Sequence, residues 1–254
     1  MKRCLVNGEE RSCIPADDPG FLRGLVCFDT MRTYGRIPFR LAAHMARLEA
    51  SAAEMGIDCP TAAVLEDVHA LLETDVWIRV TLTAGGIRVV QAASVDPDRT
   101  GRGVHCARLP VLPSPYLRGS VKHGSRAAWV LSAEKLGVDE VLFVADGEIL
   151  EANRSSVIAV LDGVLVTPVA DGRLLDGVTR RSMLDAAARA GLQMRVGVVP
   201  ADADFEELYL ASTLKELSPV LTLDGAEIGG GDVGESLHSA FRQLVQLESQ
   251  SALS

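Results

Sequence analysis

The run Val26-Cys27-Phe28-Asp29-Thr30-Met31-Arg32-Thr33-Tyr34 is rich in β-branched and aromatic residues, and Gly35 closes it. This composition predicts a β-strand. From Leu41 the apolar residues recur at intervals of three and four, until Gly56 stops the pattern. The change of period predicts that an amphipathic helix follows the strand.

Strand and turn signals alternate on both sides of this stretch. Upstream, Cys4-Leu5-Val6 runs into Asn7-Gly8, a dipeptide that favours a tight hairpin. Downstream, a second helix is predicted over 61–73, and a hairpin joins strands at 76–83 and 87–90. The first part of the chain is therefore predicted to be an antiparallel meander with two helices.

The second part of the chain repeats this style. Helices are predicted at 125–136, 178–190 and 235–247, and strands at 140–144, 156–161 and 164–167. The hairpins are too closely spaced for a repeated βαβ unit, so the predicted class is α+β in two lobes.

Prolines and glycines punctuate the chain between about Asp96 and Ser120. We therefore expect the boundary between the lobes in this stretch. Residues 1–112 are assigned to an N-terminal α+β lobe, 113–121 to the connection, and 122–254 to a C-terminal lobe.

Composition restricts the class of function. The 254 residues are 48% apolar and 23% charged, which is typical of a globular protein. The net charge of -9 argues against nucleic-acid binding, which needs a basic surface. Five cysteines without a C-x-x-C pair indicate neither disulfides nor a metal site. With no signal-like or membrane-spanning stretch, the expected location is the cytoplasm, away from any membrane.

One glycine motif matches the sequence pattern of a dinucleotide-binding site. Residues 229–234 satisfy the pattern G-x-G-x-x-G and precede a predicted helix. A dinucleotide fingerprint also needs the rest of a βαβ unit and an acidic residue about 20 residues onward, but the chain ends soon after one helix. We expect an ordinary loop there.

A series of short motifs follows along the chain: Gly20–Gly24, Phe28–Gly35, Pro38–Leu41, His44–Leu48, Lys122–Arg126, Asp139–Val141, Asp146–Ser156, Leu175–Arg181 and Ala211–Thr213. Each motif alone is weak, but their order and spacing from Gly20 to Thr213 resemble the class IV aminotransferase family. This family uses pyridoxal 5'-phosphate (PLP) and has PLP fold type IV. The resemblance implies a two-lobed enzyme with its active site between the lobes.

The resemblance makes Lys122 the catalytic lysine that forms a Schiff base with PLP, and Glu151 the acid opposite the pyridine nitrogen. An amine attacks a carbonyl only when deprotonated, so such a lysine needs desolvation or neighbouring positive charge. A carboxylate at the ring nitrogen keeps the pyridine protonated. A lone lysine of this kind is otherwise a solvated surface residue, and Glu151 an ordinary turn glutamate.

The resemblance also supplies a phosphate site. Arg47 matches the family's phosphate-binding arginine, and a guanidinium suits phosphate oxygens. A glycine turn leads into the helix at Val178 and Thr179, whose free amides and dipole favour an anion. Ser212 and Thr213 complete the cofactor-binding set. The plainer interpretations are an exposed arginine, a helix capped by Asp176, and a polar turn.

Three departures from the family pattern bear on the substrate. The family's Gly-Asp-Gly turn is Gly24-Leu25-Val26 here, Ser125 stands where asparagine is frequent, and Ser156 ends the polar stretch after Glu151. No cofactor anchor is lost.

We expect a PLP-dependent enzyme that transfers an amino group from an amino acid to a 2-oxo acid and acts, by resemblance, as a homodimer. The first alternative is aminodeoxychorismate lyase, which releases 4-aminobenzoate and pyruvate. That branch has a similar lysine motif, with His123 and Arg126. The second alternative is a binding protein of the same fold without turnover.

Overall fold

The computed structural model describes residues 2–112 and 114–251. Contacts among them form two compact units. The first unit holds residues 2–95, 121–126 and 248–251. The second holds 96–112, 114–120 and 127–247. Each unit has its own sheet and its own hydrophobic core.

A six-stranded sheet is the frame of the first unit. Its strands are β1 (Arg3–Val6), β2 (Glu9–Glu10), β3 (Val26–Tyr34), β4 (Ile37–Pro38), β5 (Val76–Thr83) and β6 (Arg88–Ser94). They pair antiparallel in the order β2-β1-β6-β5-β3-β4. The helices are α1 (Pro19–Arg23), α2 (Leu41–Glu54) and α3 (Thr61–Ala70).

Alternating side chains explain how this sheet is covered. Val76, Ile78 and Val80 of β5 are buried in one core with Leu48 of α2 and Val68 of α3. Because successive side chains of a strand point to opposite faces, these three residues share one face of the sheet. The helices therefore pack on the apolar face that the strand pattern creates.

A nine-stranded sheet is the frame of the second unit. Its strands are β7 (Val104–Pro110), β8 (Glu140–Ala145), β9 (Glu148–Ala152), β10 (Ser156–Leu161), β11 (Val164–Thr167), β12 (Met194–Val196), β13 (Glu207–Ser212), β14 (Glu216–Leu223) and β15 (Ala226–Glu227). The order is β12-β11-β10-β13-β14-β7-β8-β9, and β15 pairs with β14. The pairs β14/β7, β7/β8 and β11/β12 are parallel, and the others are antiparallel.

Three helices accompany this sheet: α4 (Ala127–Leu136), α5 (Val178–Ala190) and α6 (Asp232–Ser251), whose last turn, from Glu248, groups with the first unit. Helix α5 contacts β10, β12 and β13. It ends at Gly191, whose positive φ of 70° is the usual way to stop a helix. Among the described residues, none of the helices is both long enough and apolar enough to cross a membrane.

Several predicted elements have the bounds that the sequence indicated. They are the strands at 26–34, 76–83, 156–161 and 164–167 and the helix at 178–190. The sequence missed α1, β7 and β14, and it indicated only the end of β13, at Ser212. Strand β7 lies in the stretch that suggested a connection. Gly103 precedes it and Pro110 is its last residue, so neither lies in its interior.

The units also divide the chain differently from the predicted lobes. Residues 96–112 group with the second unit, since β7 pairs with β8 and β14. Lys122 was placed in the C-terminal lobe, but residues 121–126 group with the first unit because they pair with β3. Residues 1, 113 and 252–254, which the predicted lobes and connection include, lie outside the described residues.

Candidate active site

One face of α2 bears polar side chains that lie in the interior of the first unit. His44, Arg47 and Ser51 are three and seven residues apart, a spacing that puts them on one side of a helix. His44 and Ser51 are buried, and the side chain of Arg47 is only 10% exposed. Polar groups in the interior need hydrogen-bond partners, and these side chains find them on β3 and on the segment around Lys122.

The carboxylate of Asp29 on β3 joins two of these side chains. It is fully buried and accepts hydrogen bonds from Arg47 Nε (2.7 Å) and Nη2 (2.9 Å). Nδ1 of His44 lies 2.8 Å from Asp29 Oδ1. The two bonds from Arg47 form a fork, which fixes the direction of the guanidinium plane.

The ionisation of this cluster follows from its burial. Burial favours the neutral acid, but the Arg47 charge and the hydrogen bonds from His44 and Arg47 outweigh it and hold the pKa of Asp29 far below its usual range. Burial lowers the pKa of His44, and the charges of Arg47 and Lys122 lower it further, against the effect of Asp29. His44 is therefore neutral, and its Nδ1 proton is donated to Asp29.

The backbone around Lys122 is held at three points. The amide of Lys122 donates to Ser51 Oγ (3.0 Å), and its carbonyl accepts from the amide of Phe28 (3.0 Å). The amide of Gly124 donates to the carbonyl of Val26 (2.8 Å). Residues 122–124 thus form a short antiparallel addition to the start of β3.

Positive side chains surround one aromatic ring beside this segment. Lys122 Nζ lies 5.2 Å from the centre of the Phe28 ring, and the guanidinium carbons of Arg79 and Arg126 lie 4.5 and 5.0 Å from it. Each pair has cation–π geometry. Ser125, one of the departures from the family pattern, donates to the carbonyl of Gly24 at 2.9 Å and holds the adjoining turn.

The chain has four lysines, Lys2, Lys122, Lys135 and Lys215, and their surroundings differ. Lys2 and Lys135 are exposed. Lys215 pairs with the fully buried carboxylate of Glu140. Lys122 is half-buried against an aromatic ring, with its backbone fixed. Its surroundings are those of a positioned side chain rather than a surface lysine.

In the second unit, Glu151 lies on an irregular part of β9. Pairing shifts between Leu142/Ala152 and Val144/Ile149, so β9 has an extra residue there, and such a bulge turns a side chain away from the regular direction. Glu151 is half-buried, and its Oε2 accepts from the amide of Leu175 at 3.3 Å. This bond joins Glu151 to the loop that leads into α5.

The start of α5 is closely fitted to the sheet. Gly177 is the N-cap, and a Cβ at this position would collide with Ser156 Oγ. The side chains of Val178 and Thr179 that follow are buried. The interpretation of Asp176 as the cap is wrong: its carboxylate instead pairs with Arg180 at 3.1 Å, four residues on along the helix.

Ser212 and Thr213 lie at the end of β13 and are half-buried. Ala211 pairs with Ser156, the residue that abuts Gly177. The structure therefore brings together, within the second unit, Glu151, the start of α5 and the end of β13. Within the first unit, Arg47 and Lys122 both lie close enough to His44 for their charges to lower its pKa.

The glycine motif at 229–234 holds a side chain of the protein itself. The Glu207 carboxylate accepts from the amides of Val233 (3.3 Å) and Gly234 (2.8 Å) at the start of α6. The hydroxyl of Tyr209 donates to Glu207 (2.7 Å) and accepts from the amide of Gly231 (2.8 Å). A carboxylate thus binds the amides that a nucleotide phosphate would need.

Sequence reasoning missed Asp29, His44 and Ser51 as parts of this site. A signal was present: each is polar, yet stands where the period of its strand or helix predicts a buried side chain. His44 and Ser51 lie among the apolar positions of α2, beside Met45, Leu48 and Ala52.

The family model described as amino-transferase class IV matches residues 26–223. The chain belongs to this family. Class IV aminotransferases depend on PLP and pass an amino group from an amino acid to a 2-oxo acid, so this chain is a PLP-dependent aminotransferase. The predicted family and activity are confirmed.

Named relatives agree with this assignment. A putative branched-chain-amino-acid aminotransferase of Methanocaldococcus jannaschii is 28% identical, over 89% of this chain and 88% of the relative. A D-alanine aminotransferase of Bacillus licheniformis is 26% identical, over 91% and 92%. Both have aminotransferase names, so the lyase alternative gains no support.

Solved structures confirm the fold class. A fold IV-transaminase from Curtobacterium pusillum has a TM-score of 0.85 to this class IV aminotransferase at 25% identity, covering 96% of this chain and 99% of the other. A hypothetical aminotransferase from Mycobacterium tuberculosis, in a PLP-bound form, has a TM-score of 0.84 at 24% identity, covering 96% and 98%.

Proposed function

We propose that Lys122 is the residue that binds PLP covalently and moves the proton of the reaction. The surroundings of the four lysines carry this proposal. Two are exposed, Lys215 neutralises Glu140, and Lys122 is half-buried with its backbone fixed by β3 and Ser51.

The remaining residues fit the parts of the cofactor. Glu151 would face the pyridine nitrogen, and a carboxylate that already accepts from a backbone amide suits a protonated ring nitrogen. The phosphate would be held by Arg47, the amides of Val178 and Thr179, and the hydroxyls of Thr179, Ser212 and Thr213. Gly177 supports this role, because its lack of a Cβ lets the start of α5 lie close to Ser156.

A comparison of two helix starts supports the choice of α5. The first amides of α6 are taken by Glu207, whereas the N-cap of α5 is a glycine and its neighbour Asp176 pairs with Arg180. Amides at a helix start, with the helix dipole behind them, favour a phosphate dianion. The phosphate site is therefore assigned to α5.

When bound, PLP supplies an electron sink that stabilises negative charge on the substrate Cα. The chain supplies the proton chemistry. Lys122 Nζ would take the proton from Cα of the amino acid and would deliver it to the cofactor carbon that carries the amino group, which leaves the lysine as it began. Glu151 keeps a counter-charge at the ring nitrogen throughout. The substrates are amino acids and 2-oxo acids, and the relatives include both branched-chain and D-alanine enzymes.

We also propose that the protein is a cytoplasmic homodimer. Large apolar side chains are exposed in both units: Phe21 (66%) and Leu22 in the first, and Leu112 and Tyr116 (95%) in the second. Apolar groups exposed to this degree are typical of surfaces that a partner covers.

The first test is chemical labelling of the lysine. Borohydride reduction of the PLP-loaded protein should fix the cofactor on the peptide that contains Lys122, as shown by mass spectrometry. Lys122→Ala should lose this label and the transaminase activity, while the control Lys135→Ala, at an exposed position, should keep both. A label on Lys2, Lys135 or Lys215 in the unmodified sequence would contradict the proposal.

A further inference from the structure

Asp29 is a fully buried carboxylate in the strand that supports Lys122. Its two oxygens are engaged by side chains of α2: Arg47 binds both, and His44 donates to Oδ1. A buried carboxylate stays ionised only when oppositely charged or hydrogen-bonding partners contact it in good geometry. The fork from Arg47, with distances of 2.7 and 2.9 Å, has that geometry.

We propose that Asp29 is a positioning residue for the phosphate site, acting through Arg47. The inference rests on the proposed function, in which Arg47 binds the cofactor's phosphate. Long arginine side chains lose rotamer freedom when they bind an anion. Asp29 removes that freedom beforehand, because the fork holds Nε and Nη2 and thereby fixes where the guanidinium points.

His44 supports the same arrangement from the next turn of α2. Its Nδ1 lies 2.8 Å from Asp29 Oδ1, and because the ionised carboxylate of Asp29 can only accept, the proton of the neutral ring lies on Nδ1. This bond prevents rotation of the carboxylate, which would otherwise break the fork to Arg47. Strand and helix are therefore joined by one set of bonds that ends at Arg47.

The sign of one measurement separates positioning from plain electrostatics. The negative charge of Asp29 repels a phosphate dianion, so removing it would tighten phosphate binding if charge alone mattered. If Asp29 positions Arg47, removing it loosens binding, because one partner of the fork is lost. Asp29→Asn keeps the size of the side chain and removes the charge, and an amide cannot accept on both sides.

The experiment is a double-mutant cycle on the apo protein and on the PLP-loaded protein. Inorganic phosphate affinity is measured by calorimetry, and PLP affinity by equilibrium dialysis, for Asp29→Asn, Arg47→Ala and the double variant. We expect Asp29→Asn to weaken both affinities about tenfold, the loss typical of one charged hydrogen bond. The double variant should be no weaker than Arg47→Ala, since Asp29 acts only through Arg47.

A matched control separates this effect from general destabilisation. Asp67 on α3 is also buried and pairs with Arg88, and the proposed function uses neither residue. Asp67→Asn should lower stability in urea but leave both affinities unchanged. A comparable loss of phosphate affinity in Asp67→Asn would overturn the inference.

The outcomes distinguish a failure of this inference from a failure of the proposal on which it rests, that Arg47 binds the phosphate. Unchanged or tighter binding by Asp29→Asn, with weaker binding by Arg47→Ala, overturns the positioning role alone. Unchanged binding by Arg47→Ala removes Arg47 from the phosphate site and overturns both. If Asp29→Asn does not fold, His44→Phe replaces it: at least twofold weaker phosphate binding supports the inference, and unchanged binding overturns it.

Discussion

His44 and Asp29 are two ionisable groups in the interior of the first unit. Both make the folded state less stable as the pH falls. The folded state keeps Asp29 ionised and His44 neutral. Below a pH of about 6.5, unfolded histidine takes up a proton that folded His44 resists. Below about 4, unfolded aspartate takes up one that folded Asp29 resists.

These signs predict that the free energy of unfolding falls as the pH falls from 6.5, and falls more steeply below 4. Each proton bound only by the unfolded state contributes a slope of about 1.4 kcal/mol per pH unit. The pKa of His123 is lowered by burial and by Arg126, so His123 contributes to the same loss of stability below pH 6.5. Urea titrations at a series of pH values from 8 down to about 3 measure both slopes.

Two variants isolate the contribution of His44. His44→Gln should flatten the stability curve between pH 6.5 and 5, because the titrating group is gone. His69→Gln, at an exposed position of α3, should leave the slope unchanged. If His44→Gln keeps the slope of the unmodified sequence, His44 is not the group that responds to acid.

Single residues also show where sequence reasoning reached its limit. Lys122, Arg47, Glu151 and Thr179 were found because a series of short motifs contains them, and a motif gives positions without contacts. Asp29 lies inside one of those motifs, but its role depends on pairing with α2, which no local spacing reveals. Polar residues at positions where the period of the strand or helix predicts a buried side chain were a usable signal. The period does not show which residue such a side chain contacts.

At the scale of the element, the start of α5 depends on a missing side chain. Gly177 has φ -65° and ψ 128°, which any residue can adopt, so its requirement comes from the contact with Ser156 and not from strain. Gly177→Ala should destabilise the protein by about 1 to 3 kcal/mol, the usual cost of overpacking, and should weaken PLP binding.

Removing the obstructing atom should reverse this loss. In Gly177→Ala/Ser156→Ala the Oγ that meets the new methyl group is gone, so stability and PLP affinity should recover towards those of Ser156→Ala alone. Thermal unfolding and equilibrium dialysis of the three variants check this. A double variant as weak as Gly177→Ala would show that the fit to Ser156 does not explain the glycine.

Elements with a strong period were predicted with accurate bounds, as α5 and β3 show, because one buried face determines the pattern. Strand β7 was missed for a different reason. Its neighbours in the sheet, β14 and β8, are distant in sequence. Long-range pairing stabilises such strands, and a local window does not contain it.

For the whole molecule, the proposed homodimer predicts a mass in solution of twice the 27.0 kDa chain. Phe21→Asp places a charge on an exposed apolar helix and should shift the protein towards the monomer in sedimentation equilibrium. Val196→Asp on the edge strand β12 is also at an exposed apolar position and serves as the control. A monomeric protein, or equal dissociation by both variants, would contradict the proposed surface.

The first unit is assembled from three separate parts of the chain, and this has a consequence for its synthesis. Residues 26–28 of β3 bond with 122–124, so during translation that edge stays open while nearly a hundred further residues are made. At about 5 to 20 residues per second, the nascent chain exposes unpaired strand backbone for several seconds. Unpaired strand edges attract other chains. The ribosome and its associated chaperones therefore have a definite interval in which to shield this strand, which ends when the lysine segment emerges and closes the edge.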